Sequence, residues 1–232
     1  MLEVRDLRVL RGGQPVLQGL SFVVHPGEIV ALLGRNGAGR STTAMALMGL
    51  LPRQGHIYWH GQPLQDLPAH LVARAGLGYV PESRDVFPGL SVAQNLLLGE
   101  PAQRRGSPPL WTRDELLDLF PALSARLHTQ ADKLSGGEQQ MLSLCRTLLG
   151  QPQVLLVDEP AEGLSPQVVA QLGHVLDLAR QRGLAVLLIE QKLQLTLALA
   201  DRALVMGAGR IVADLLPDEV LGSGACAQWL MV

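Results

Sequence analysis

One stretch limits what this chain can become more than any other: residues 29–50, IVALLGRNGAGRSTTAMALMGL. The run 29–33 is apolar and has the length of a buried strand. A glycine-rich loop follows at 34–39, and hydroxyl residues then open a helix of small and apolar side chains. Strand, glycine loop and helix in that order make a phosphate-binding loop. Glycines let backbone N–H groups curl around phosphate oxygens with no side chain in the way. The helix N-terminus adds its unpaired donors and the positive end of its dipole. Gly34, Arg35, Asn36, Gly37, Ala38, Gly39, Arg40, Ser41 and Thr42 are therefore candidate nucleotide contacts, with the Ser41 hydroxyl also a candidate ligand for Mg²⁺. One position departs from the pattern G-x-x-x-x-G-K-S/T: its lysine is Arg40. Taken alone, such a stretch could be a glycine turn with no ligand, so the rest of the chain has to decide.

A second apolar run, 154–157, ends in Asp158-Glu159-Pro160. Both carboxylates then stand at the C-terminal edge of a strand, where α/β sheets place their ligands. Asp158 would hold Mg²⁺, directly or through water. Glu159 would polarise the water that attacks a γ-phosphate. A lone acid pair at a strand end is often just solvated, but here a phosphate loop lies on a separate strand.

Between and around these stretches the pattern alternates strands and helices. Strands are predicted at 2–9, 16–24, 56–60, 77–80, 154–157, 184–189, 203–206 and 210–213. Helices are predicted at 67–75, 92–98, 114–120, 193–200 and from 217, with one starting at Ser165-Pro166 and ending at Arg182-Gly183. Ser91 reads as an N-cap. Residues 101–111, rich in proline and basic side chains, read as an exposed connection. The expected architecture is α/β, in one domain spanning 1–232. Its core is 1–87 and 151–232, and 88–150 is a helical insert rather than an independent fold.

Composition narrows the function. The net charge of −2 over 232 residues carries no polyanion signal, so nucleic acid is not the expected partner. The start, MLEVRDLRV, lacks an apolar leader core, and no apolar run approaches ~18 residues, so neither a signal peptide nor a membrane span is expected. The two cysteines, Cys145 and Cys226, suggest reduced thiols rather than a disulfide framework. The six histidines lack metal-ligand spacing, and His56 and His60, beside Tyr58, read as solvated surface.

The most specific motif is LSGGEQQ, 134–140. Ser135, Gly136 and Gly137 open a helix, so a hydroxyl and N–H groups point outward as an anion site. With the phosphate loop and the acid pair, this string resembles the signature of the ATP-binding cassette (ABC) family, and the likeness covers the whole chain. The resemblance implies a P-loop nucleotide hydrolase fold, with a RecA-like core, an antiparallel β subdomain and an inserted α-helical subdomain. It implies ATP and Mg²⁺, and adds Ser135, Gly136, Gly137 and Glu138 as contacts to ATP held by a second subunit. Glu82 stands where the family carries a glutamine that senses Mg²⁺ and the membrane partner. Gln191 stands at the family's switch histidine. The aromatic that stacks on adenine is missing; Arg11 is the aligned residue and could lie on the base by a cation–π contact. The segment 161–166, AEGLSP, matches the family's D-loop.

VPE-x-R-x-VFP, EGLSP, and IEQ followed by LADRALVM resemble ATPase subunits of branched-chain or hydrophobic amino acid importers, with urea and short-chain amide importers close. Glu82 and Gln191 fit that subfamily, whereas Arg40 departs from it. The implied assembly is a head-to-tail dimer with a second ATPase subunit, a copy or a paralogue. It is peripheral on the cytoplasmic face of the cell membrane, docked on integral permease subunits and served indirectly by a solute-binding protein. Phe87, Pro88 and Leu90 are expected at the permease dock. The competing reading is a nucleotide-dependent regulatory subunit whose own site is impaired. Arginine is longer, planar and forked where lysine is a compact point charge, so weak binding and slow hydrolysis are expected at this loop. A soluble cassette of translation or DNA repair fits poorly, since 232 residues leave room for neither a second cassette nor a long coiled coil.

Overall fold

The computed structural model describes residues 1–100, 108–191, 193–222 and 224–230. The chain opens with a hairpin, β1 (Leu2–Arg11) and β2 (Gln14–Val24), and β3 (Ile29–Gly34) leads through the loop into α1 (Arg40–Leu47). Next come β4 (Gln54–Trp59), the two-residue β5 (Gln62–Pro63), α2 (Ala69–Arg74) and β6 (Leu77–Val80). Helices α3 (Val92–Gly99), α4 (Arg113–Leu119), α5 (Pro121–Ser124) and α6 (Gly136–Leu149) precede β7 (Val154–Asp158). The remainder is α7 (Pro166–Gln181), β8 (Ala185–Ile189), α8 (Leu193–Leu199), β9 (Arg202–Gly207), β10 (Arg210–Leu215), α9 (Pro217–Gly222) and α10 (Gly224–Leu230).

These strands form two sheets. One is antiparallel, in the order β2-β1-β4-β5; the other has six strands, β10-β9-β3-β8-β7-β6. In the second sheet β9, β3, β8, β7 and β6 run parallel and β10 closes one edge antiparallel. The α/β fold with an antiparallel β layer is therefore as the sequence predicted. Strands β3, β7 and β8 are buried at every residue, the reason they read as unbroken apolar runs. Successive side chains of a strand point to opposite faces. Leu156 and Leu187 thus pack with Leu20, Ile57 and Trp59 of the antiparallel sheet. Leu155 and Val186 face the other way, onto Leu142 and Leu148 of α6 and Leu172 and Leu176 of α7. Because the central strands are parallel, Gly34, Val80, Asp158 and Ile189 all end on one edge of the sheet.

The strand 2–9 and the strand from 16 both run further than predicted, because Leu10 pairs with Pro15 and Arg11 with Gln14 across a two-residue turn. The two-residue β5, the four-residue α5 and the terminal α10 were not anticipated. One expectation is corrected outright. Of the connection 101–111, residues 101–107 lie outside the described residues, but Trp111 is not exposed: only 1% of it is accessible. The Arg182 guanidinium lies 4.0 Å from its ring centroid, and Gln151 bonds its backbone N–H and C=O. A large aromatic ring outweighs the polar composition of its neighbours.

Helices α3 to α6 share one apolar cluster with Val80 of β6 and Val157 of β7, so the insert has no core of its own. On that ground we propose 88–150 as a subdomain of the core 1–87 and 151–232. No described helix is long and apolar enough to cross a membrane. Both cysteines are free and buried.

Candidate nucleotide site

The loop between β3 and α1 is wedged in place. Gly34 has φ 156°, and a Cβ there would lie 2.7 Å from the Met206 carbonyl oxygen. Gly39 has φ 105°, and a Cβ would meet a Leu17 methyl at 2.7 Å and the Val16 carbonyl at 3.3 Å. Only glycine fits either place, since an added carbon would push the loop off β9 and β2. Arg35, Asn36 and Gly37 are the exposed crest; Ala38, Gly39, Arg40 and Thr42 are buried, and Ser41 is half-buried. Thr43 closes the first turn of α1 by donating from both N–H and hydroxyl to the Gly39 carbonyl, each at 2.9 Å.

Ser41 reaches the acid pair. Its hydroxyl donates to Asp158 Oδ1 at 3.1 Å, and the Tyr79 hydroxyl donates to Asp158 Oδ2 at 3.2 Å. Burial, helped by the charges of Glu159 and Glu82, pushes the Asp158 carboxyl up to about 6 against the pull of these two bonds. Among the described residues no cation pairs with Asp158. A buried carboxylate beside a serine hydroxyl, lacking a counter-charge, is a donor set that fits a hard divalent cation. Burial also holds the Tyr79 hydroxyl well above the usual range, with Asp158 beside it.

Glu159 sits with φ 43° and donates its backbone N–H to the Ile189 carbonyl at 2.8 Å. Its carboxylate forms an ion pair with Arg40. Arg40 is 4% exposed. One terminal nitrogen donates to the Gly34 carbonyl and, at 3.3 Å, to the Glu190 carbonyl; the other donates to Asn36 Oδ1 at 3.2 Å and to Glu159. An arginine in place of a compact ammonium was expected to weaken this site. The structure turns its guanidinium inward, onto its own loop and two strand ends.

Glu82 is exposed on the loop after β6, and its carboxyl lies with those of Glu159 and Glu162 inside a 4.8 Å cluster. Partial desolvation and the facing charges of Glu159 and Glu162 hold it above the ordinary carboxylate range. Gln191 is half-buried just past β8, its backbone N–H donating to Glu190 Oε2 at 3.2 Å. Glu190 itself is 2% exposed and was missed by sequence reasoning, as was Tyr79. Glu190 accepts the Ala161 N–H at 3.0 Å, which ties the end of β8 to the segment after Glu159. The acid in IEQ next to the expected switch position was the available signal. Arg11 is exposed at the hairpin end, and among the described residues no hydrogen bond, ion pair or ring contact joins it to the loop.

The LSGGE stretch stands apart. Ser135 caps α6 and Glu138 completes a capping box: the Glu138 N–H donates to Ser135 Oγ at 3.3 Å and the Ser135 N–H to Glu138 Oε2 at 2.8 Å. Arg126 lies 3.2 Å from the other Glu138 oxygen. The Glu138 carboxylate is turned back onto its own helix start. Ser135 stays exposed, while Gly136 and Gly137 are half-buried. A Cβ on Gly136 would fall 2.5 Å from the Arg84 guanidinium, and one on Gly137 would touch Val168 at 3.4 Å. Among the described residues no hydrogen bond or ion pair joins 135–138 to 34–42.

A phosphate loop, an acid pair two strands away on the same edge of the sheet and an outward-facing capped glycine helix, carried on one α/β core, are the parts of an ATP-binding cassette. Residues 17–162 match the family described as ABC transporter, and the chain belongs to that family. It is an ABC-type ATPase, the ATP-binding subunit of a transporter. It is 39% identical over 213 residues to the high-affinity branched-chain amino acid transport ATP-binding protein BraG of Pseudomonas aeruginosa, covering 91% of each chain. It is also 35% identical over 229 residues to the lipopolysaccharide export system ATP-binding protein LptB of Haemophilus influenzae, covering 95% of this chain and 92% of that one. A solved ATP-binding subunit of an ABC transporter superposes with TM-score 0.85 at 30% identity, covering 99% and 96%. The ADP conformation of another cassette superposes at 0.84 with 22% identity, covering 98% and 97%, and shares the fold.

Proposed function

We propose that this chain energises an importer of branched-chain or other hydrophobic amino acids. The 39% identity to BraG over 91% of both chains carries the reading, and the VPE-x-R-x-VFP and EGLSP stretches agree with it. The 35% identity to LptB favours one alternative, an export partner.

In this reading the loop 34–42 holds the ATP phosphates on its N–H groups, and Arg11 lies near the base. Ser41 and Asp158 would hold Mg²⁺, with Glu82 close by; the ion supplies charge neutralisation of the phosphates. Glu159 accepts a proton from the attacking water, and Gln191 orients at the same strand edge. Ser135, Gly136 and Gly137 face the nucleotide of a second ATPase subunit in a head-to-tail dimer. The pair sits peripherally on the cytoplasmic face, docked on permease subunits that a solute-binding protein feeds. Phe87, 49% exposed with the Arg146 guanidinium 5.0 Å from its ring centroid, belongs to the dock.

The test is reconstitution with candidate permease and ATPase partners in vesicles. Leucine with the external binding protein should stimulate ATP hydrolysis severalfold. Stimulation by lipopolysaccharide with an export partner, and none by amino acids, overturns the importer reading.

A further inference from the structure

A guanidinium carries five N–H donors, four of them on its two terminal nitrogens. In Arg40 all four are spent inside the protein, on the Gly34 and Glu190 carbonyls, Asn36 Oδ1 and Glu159. Gly34 and Asn36 belong to the loop, Glu159 follows β7 and Glu190 follows β8. The side chain therefore ties the mouth of the loop to two strand ends. It is also the ion-pair partner of the carboxylate that is best placed to serve as base.

We propose that Arg40 is a latch: it holds Glu159 and closes the loop until a nucleotide phosphate takes the guanidinium from the carboxylate. This rests on the reading that loop 34–42 holds ATP. A lysine could not do the same, because one ammonium on a thinner stem cannot fork across four acceptors on three segments. The latch has two consequences. ATP competes with an internal anion for the same cation, so this loop binds ATP more weakly than a lysine loop would. Release of Glu159 and seating of the phosphate are one event, so the base is unavailable while the site is empty. The acidic cluster of Glu82, Glu159 and Glu162 fits this picture. Glu159, the half-buried member of the three, is the one that meets the resident cation.

The experiment is a double-mutant cycle on binding, with no turnover. ATP is titrated calorimetrically in EDTA into the full chain, at concentrations where light scattering reports a monomer. The four chains are the native one, Arg40→Lys, Glu159→Gln and the double variant. Neutralising the carboxylate frees the guanidinium for phosphate, so Glu159→Gln should tighten ATP about tenfold in the native background. It should change affinity less than about twofold when position 40 is lysine. An equal factor in both backgrounds overturns the latch. No ATP binding in any of the four sinks the ATP reading of the loop itself, a result distinct from an additive cycle. Should Glu159→Gln fail to fold, Glu159→Asp retracts the carboxylate by one methylene and serves the same cycle.

Discussion

The two regions of this chain proposed to face phosphate differ in how their charge is used. At the loop 34–42, the buried cation is consumed by internal acceptors. At the start of α6, Ser135 and its glycines are ordered by a cap yet remain open to the outside. One half-site is closed on itself; the other is organised and waiting. A motif can thus be intact in its letters and differ in availability, because availability depends on what the neighbouring segments do with its polar groups. In the proposed head-to-tail dimer these two regions would serve different nucleotides, so the difference would separate a chain's own hydrolysis from its service to a partner.

The largest effect is expected at the open end. Ser135→Arg in the reconstituted complex should lower steady-state ATP turnover about a hundredfold, the scale of losing one preorganised donor. A fall below twofold would mean that the α6 start does not complete a partner's site. Next comes the closed end. Arg40→Lys should raise the isolated chain's own hydrolysis about tenfold, since misplacing a phosphate-binding cation by ~1 Å can cost up to a hundredfold. If the native chain alone already hydrolyses ATP as briskly as Arg40→Lys, arginine is a working substitute and the contrast collapses.

A smaller effect concerns the dock. Phe87→Asp should reduce recovery of the permease in a pull-down severalfold while leaving the ATP affinity of the chain unchanged. Loss of both together would assign Phe87 to packing against Arg146 and the backbone held by Asn95.

The smallest effect is thermal. The Asp158 carboxyl is raised from 3.8 to about 6 in the folded chain. Folding therefore favours its protonated form, and this contribution is complete below pH ~4 and lost as pH rises through about 6. In the nucleotide-free chain Asp158→Asn should flatten the fall of Tm between pH 4.5 and 7.5 by a few degrees. The same slope should flatten in the native chain when excess Mg²⁺ is added, because a bound cation removes the penalty on the carboxylate. An unchanged slope in both would take Asp158 out of the metal site.

Much of this was legible in the letters because it is local. The Ser135–Glu138 box spans three residues, Ser165-Pro166 opens α7 through its own side chain and ring, and buried parallel strands announce themselves as short apolar runs. The candidate site's members could also be named, since Ser41, Asp158 and Glu159 each stand at or after the end of a strand in a recognisable string. The burial of Trp111 could not be read, because Arg182 and Gln151, the residues that cover and bond it, lie far along the chain. Arg11 carried no local signal that would show whether it reaches the base.

Arg40 draws the line most sharply. By itself the sequence determined that a cation stands at this position, that its shape is wrong for a compact phosphate contact, and that glycines surround it. Two of its four acceptors, Gly34 and Asn36, are neighbours within the loop. The other two, Glu159 and Glu190, are 119 and 150 residues away. Only the parallel sheet, by ending β3, β7 and β8 on one edge, brings them within reach of one guanidinium. Spacing along the chain carries no information about which strand ends meet, and the partner of a buried charge is decided where they do.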